Sequence, residues 1–121
     1  MSEALNDRVL LEQEEVICRR RNAHEEKSYT CYLFDSGLDK ILKKVGEECT
    51  ETVIAAKNRK ADPSNEALKN ELVGEVSDLL YHVQVMLADL DVPFSEVLAE
   101  IDRRAQKEGN KKVMKTVDRN T

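Results

Sequence analysis

Two groups of carboxylates have a spacing that could do chemistry. Glu47, Glu48 and Glu51 lie close together in one segment, and Glu71, Glu75 and Asp78 in another. Glu48 and Glu51 are three residues apart, and so are Glu75 and Asp78. In a helix, residues at i and i+3 sit on adjacent turns of the same side. Two such pairs on neighbouring helices can therefore bring four carboxylates to one point. Hard cations want that arrangement, because Mg²⁺ takes oxygen ligands and keeps several waters, leaving room for phosphate oxygens. Without a cation the like charges would repel one another. In a chain with 24 acidic residues the same spacing also arises as ordinary solvated charge, so spacing alone leaves both readings open.

Basic residues stand beside these groups. Lys40, Lys43 and Lys44 precede the first cluster by about one turn, and Lys44 projects to the side of Glu48 and Glu51. It is the best placed to touch a phosphate oxygen. His82 follows Asp78 by four residues and either supports the cluster or is a hydrogen-bonded histidine at the edge of the bundle. The run Arg19-Arg20-Arg21 could meet phosphate, though short charge runs are usually solvated surface.

Helices must position these residues. Leu38, Ile41, Leu42, Val45, Cys49, Thr52, Val53 and Ala56 share one face when each residue turns about 100°, which predicts a helix over 38–57. A second long helix is predicted over 65–90, burying Leu68, Leu72, Val76, Leu79, Val83, Met86, Leu87 and Leu90. By the same rotation, Glu48 and Glu75 fall at the rims of their apolar stripes. Residues 4–20 repeat apolar positions at helical intervals, and Pro93 suits the first turn of a last helix carrying Phe94, Val97, Leu98 and Ile101. Residues 28–34 read as a short strand by propensity, and Asp35-Ser36-Gly37 supplies N-cap candidates for the helix that follows. Asn58 to Ser64 reads as a polar connection containing Pro63. The expected architecture is an all-α helical bundle with two long central antiparallel helices, completed by dimerisation. One domain over 1–105 and a disordered tail over 106–121 are expected.

Composition agrees with this and narrows the partners. The 121 residues contain no Trp, two Phe and three Tyr, so the core must be aliphatic. A net charge of −5 provides no global basic field for nucleic acid or an anionic membrane. No apolar run approaches a membrane span, and the N-terminal residues lack a signal-peptide pattern. Cys18, Cys31 and Cys49 are odd in number and lack zinc-site pairing, which implies a reduced, cytoplasmic protein, with Cys49 a small core residue.

Ser28-Tyr29-Thr30, Leu33, Gly37, Lys44-Val45-Gly46-Glu47-Glu48, Glu51 and the run from Glu75 through Asp78 to Tyr81-His82 together resemble the phosphoribosyl-ATP pyrophosphatase family. The paired carboxylates alone are shared with the wider MazG-like all-α pyrophosphohydrolases. The Ser-Tyr-Thr segment and the Tyr-His pair are more particular. The resemblance implies hydrolysis of 1-(5-phosphoribosyl)-ATP to phosphoribosyl-AMP and pyrophosphate in histidine biosynthesis, and a homodimer. It implies Mg²⁺, with Mn²⁺ able to substitute, on Glu48, Glu51, Glu75 and Asp78. Glu47 would be a further ligand or orient water, Lys44 and Lys40 would contact phosphate, and Tyr29 and Thr30 would help close the substrate site. The family often occurs fused to a cyclohydrolase domain, for which this chain is too short. Two other readings stay open, a MazG-like (deoxy)nucleoside triphosphate pyrophosphohydrolase and a non-catalytic helical dimerisation module.

Overall fold

A computed structural model describes residues 5–107, which form five helices and, among the described residues, no strand. They are α1 (Val9–Asn22), α2 (Tyr29–Ser36), α3 (Leu38–Ala61), α4 (Glu66–Asp89) and α5 (Phe94–Gln106). The tail expected over 106–121 lies almost wholly outside the described residues.

The segment predicted as a strand is helix α2. Its cause is local: Ser28 is the N-cap, and its Oγ accepts the backbone N–H of Cys31 at 3.2 Å. That bond satisfies an otherwise orphaned donor and outweighs the β-propensity of the tyrosines. Gly37 then ends α2 and opens α3 with φ 98°, a left-handed conformation that explains the glycine. No side chain caps α3, so Asp35 and Ser36 do not serve that role. The first helix begins at Val9 rather than residue 4, leaving Leu5 exposed. Helix α3 runs on to Ala61, into the first half of the predicted connection, and Asn65 caps α4 by accepting the N–H of Ala67 at 3.0 Å.

Ile17, Leu33, Ile41, Val85 and Ala88 form the core, with Cys18, Phe34, Tyr81 and Met86 packed against it. The α3–α4 pair packs most extensively, and α1 lies across α4. Buried Gln84 joins these last two, donating to the Leu10 carbonyl at 2.8 Å and accepting from Gln13 at 2.7 Å. Glu14 of α1 accepts the N–H of Phe94 at 2.6 Å and so anchors the start of α5.

The apolar stripe expected on α3 is divided. Ile41, Glu48 and Ala55 face inward, whereas Leu42, Cys49, Val53 and Ala56 face outward. Cys49 is therefore exposed and not a core residue. On α4, Val76 and Leu90 are exposed in place of the burial expected for them, and His82, Val85 and Ala88 take the inner positions. The stripe is wider than one helical neighbour can cover, so part of it is left at the surface.

Candidate metal and phosphate site

Glu48 and Glu51 stand one turn apart on α3, and Glu75 faces them from α4. Thr52 sits between the two backbones, donating its hydroxyl to the Glu48 carbonyl at 2.7 Å with the Glu75 carbonyl 3.4 Å away. Bonded back onto its own helix, this short side chain lies where the two carboxylate-bearing turns meet. Each of Glu48, Glu51 and Glu75 can present a carboxylate oxygen within 4.8 Å of the other two.

The electrostatics of this triad are unfavourable as it stands. Glu48 is 6% exposed, and its Oε2 and that of Glu75 are buried without a hydrogen-bond partner. Burial, and then the neighbouring Glu51 carboxylate, push the Glu48 carboxyl above the ordinary range. Glu75 is pushed up to about 7, first by its hydrogen bond with Glu51, then by burial and the nearby negative charge. A buried acceptor without a donor is costly, and three crowded carboxylates compound the cost. A hard divalent cation removes both problems at once, so the residues present fit such an ion.

The other predicted residues are distributed around the triad. Asp78 is exposed and outside the close group, although its charge still reaches Glu48. Glu47 is held by lysines instead, 3.4 Å from Lys44 Nζ and 4.0 Å from Lys43 Nζ. Lys44 also reaches Glu48 Oε1 at 3.8 Å, which puts its ammonium at the edge of the triad. Part-burial opposes the charge on Lys44, but Tyr29, Glu47 and Glu48 outweigh it and raise its pKa. Lys40 lies 5.8 Å from the centre of the Tyr32 ring, away from the triad's close contacts.

Tyr29 is half exposed beside Lys44 and Glu48, and burial of the phenol raises its pKa, opposed by Lys44. Thr30 is buried, and its hydroxyl is hydrogen-bonded to that of Tyr81, so it holds α2 in place from within. In the sequence Tyr81 carries only the family resemblance, with no role, and the part played by His82 stays undecided. His82 is 5% exposed, and both ring nitrogens are engaged, Nε2 with the Tyr29 hydroxyl at 2.8 Å and Nδ1 with the Asp78 carbonyl at 2.7 Å. Of the arginine run, Arg20 bonds Ser28 and Glu25, while Arg21 bonds Asp91 and the Ala88 carbonyl. Both are thus structural ties.

Fold and site together define an all-helical protein whose two longest helices present a cluster of three carboxylates with a lysine at its edge. The sequence matches the family model described as phosphoribosyl-ATP pyrophosphohydrolase over residues 10–105. A phosphoribosyl-ATP pyrophosphatase of Listeria monocytogenes serotype 4b (strain CLIP80459) is 53% identical over 93 residues, covering 77% of this chain and 82% of that protein. One from Clostridium novyi (strain NT) is 43% identical over 104 residues, covering 86% and 87%. The histidine biosynthesis bifunctional protein HisIE of Halalkalibacterium halodurans is 52% identical over 91 residues, which are 75% of this chain but 39% of that protein. The chain belongs to the phosphoribosyl-ATP pyrophosphohydrolase family, as the Ser-Tyr-Thr, paired-carboxylate and Tyr-His segments implied.

Proposed function

We propose that the protein hydrolyses 1-(5-phosphoribosyl)-ATP to 1-(5-phosphoribosyl)-AMP and pyrophosphate, the histidine-biosynthesis step for which its relatives are named. The observation that carries this reading, beyond family membership, is the pair of buried, unpartnered carboxylate oxygens on Glu48 and Glu75. Glu48, Glu51 and Glu75 would hold Mg²⁺, with Asp78 joining from the next turn of α4. When bound, such an ion supplies charge neutralisation for the triphosphate and acidification of water.

The chain's own residues supply the rest. Lys44 donates to a phosphate oxygen, and Glu47 keeps its ammonium from swinging away. Half-exposed Tyr29 borders the substrate, while Thr30 acts by fixing α2. As the anhydride bond between the α- and β-phosphates breaks, water adds its hydroxyl to phosphorus and its proton goes to a carboxylate oxygen of the cluster.

The two long helices are read as antiparallel, because one cleft is lined by Glu51 and Asn58 of α3 and by Glu75 and Glu71 of α4. A homodimer is read from the outward face of Leu42, Cys49 and Val53 on α3 and Val73, Val76 and Leu80 on α4. Gly46 lies on that face in mid-helix, and an added Cβ would meet nothing within 4 Å. Nothing within the single chain calls for a glycine there, whereas a closely approaching second helix would. A cytoplasmic location is supported by three free cysteines, and no described helix is long and apolar enough to cross a membrane.

The test is pyrophosphate release from phosphoribosyl-ATP with and without Mg²⁺, beside ATP and several dNTPs. Metal-dependent release from phosphoribosyl-ATP alone is expected. Release only from plain triphosphates would move the protein to the MazG-like triphosphate branch, and no release from any substrate would leave a non-catalytic helical module.

A further inference from the structure

Beside the triad, α3 and α4 enclose a compact hollow of about 170 Å³. Glu51, Ile54, Ala55 and Asn58 line it from α3, and Glu71 and Glu75 from α4. Glu51 and Glu75 belong to the triad as well, so the two share a wall. Along α3 the whole region has a polarity. Lys40, Lys43 and Lys44 come first, Glu48 and Glu51 follow, and Ile54, Ala55 and Asn58 come last. At 1.5 Å of rise per residue, Lys44 precedes Glu51 by about 10 Å, and Asn58 follows it by about the same distance. Lys44 Nζ lies 3.8 Å from Glu48, so a cationic group borders the triad at the first end. At the other end the lining of the hollow contains no Lys or Arg, and neighbouring Arg59 donates to the Asn65 carbonyl at 2.9 Å.

The substrate of the proposed reaction is polarised in the same way. Its β- and γ-phosphates carry most of the charge, whereas the ribose next to the α-phosphate is neutral and offers hydroxyl donors. An ionised carboxylate only accepts hydrogen bonds, so Glu71 suits a hydroxyl and repels a phosphate. Asn58 can both donate and accept, and Ile54 and Ala55 give an apolar surface for the carbon side of a sugar. The hollow is smaller than the roughly 300–1,000 Å³ usual for a whole ligand, and so fits one part of the substrate. We propose that the substrate lies along α3 with its two terminal phosphates at the lysine end and its ribose in the hollow, where Glu71 and Asn58 bind the sugar hydroxyls. The bond to be broken then falls between the two ends, beside the triad. The reverse placement has one attraction, a pocket bordered by Tyr29 and Tyr32, with Lys40 over the Tyr32 ring, where a base could lie. It would send the terminal phosphates to Glu71, with no cationic side chain in the hollow to receive them. Charge decides against it.

This inference rests on the pyrophosphohydrolase reading, and its test separates the two. The full-length protein in Mg²⁺ is titrated calorimetrically with each product, phosphoribosyl-AMP and pyrophosphate. Glu71→Gln and Asn58→Ala should each weaken phosphoribosyl-AMP about fivefold, the loss of one net hydrogen bond, and leave pyrophosphate unchanged. Lys44→Met should weaken pyrophosphate and spare phosphoribosyl-AMP. Glu71 and Asn58 are exposed on their helices, so neither change removes a packing contact on which folding depends. Tighter pyrophosphate binding in Glu71→Gln would place the terminal phosphates in the hollow and overturn the orientation. An active wild type whose affinity for both products is untouched by either change would remove the hollow from the site while leaving the proposed function in place. A wild type that neither cleaves phosphoribosyl-ATP nor binds its products would reject the proposed function, and the orientation with it.

Discussion

Replacing Glu48 by Gln should reverse the order of stability between variant and wild type when metal is added. The close carboxylate oxygens lie within 4.8 Å of one another. At that separation two full charges repel by roughly 1 kcal/mol in water and about 3.5 kcal/mol at an effective dielectric near 20. Glu48 meets two such neighbours and recovers part of the cost from Lys44, 3.8 Å away. Because Glu51 is exposed and Lys44 partly so, solvent screening reduces each of these terms. The net relief on removing the Glu48 charge is then about 1 kcal/mol. Glutamine has the same shape, and its amide can donate to the neighbouring carboxylates. In EDTA at pH 8, Glu48→Gln should accordingly melt a few degrees above the wild type. At a metal concentration one hundred times Kd, the wild type gains about 2.7 kcal/mol and the variant, short of a ligand, gains much less. The assay is differential scanning calorimetry at fixed protein concentration, in EDTA and in Mn²⁺ or Mg²⁺. A variant less stable than wild type in EDTA, or one with an undiminished metal-induced rise, would refute the account of Glu48 as a buried ligand.

Two further outcomes follow from the same structure. The folded-state pKa of Glu75 lies near 7, above its ordinary value of 4.5. Its contribution to metal-free stability is thus fully present below about 4.5 and is lost as pH rises through about 7. Thermal melts in EDTA across that window should show the wild type losing ground to Glu75→Gln, and a pH-independent difference would contradict the shift. On the outward face of α3, Val53→Asp should convert a dimer to a monomer in analytical ultracentrifugation, and an unchanged sedimentation coefficient would remove that face from the interface.

The sequence by itself determined the helices, because a period of 3.6 in aliphatic residues over two long segments admits no other regular structure. It also determined which carboxylates could cooperate, since i, i+3 spacing is fixed by the helix and needs no tertiary information. The short α2 escaped because its cause is one hydroxyl bonded to one backbone N–H, a local event that eight residues of β-leaning composition conceal. Only the tertiary structure decided which half of the α3 stripe is covered, for periodicity marks an apolar face without saying what lies against it. It alone drew Glu51 and Glu75 together with Glu48 across two helices while leaving Asp78 outside the close group, because rotation about a helix axis is set by packing between helices. The same packing gave His82 its partners. Tyr29 is 53 residues away in the chain, and no spacing rule connects them until α2 folds onto α4.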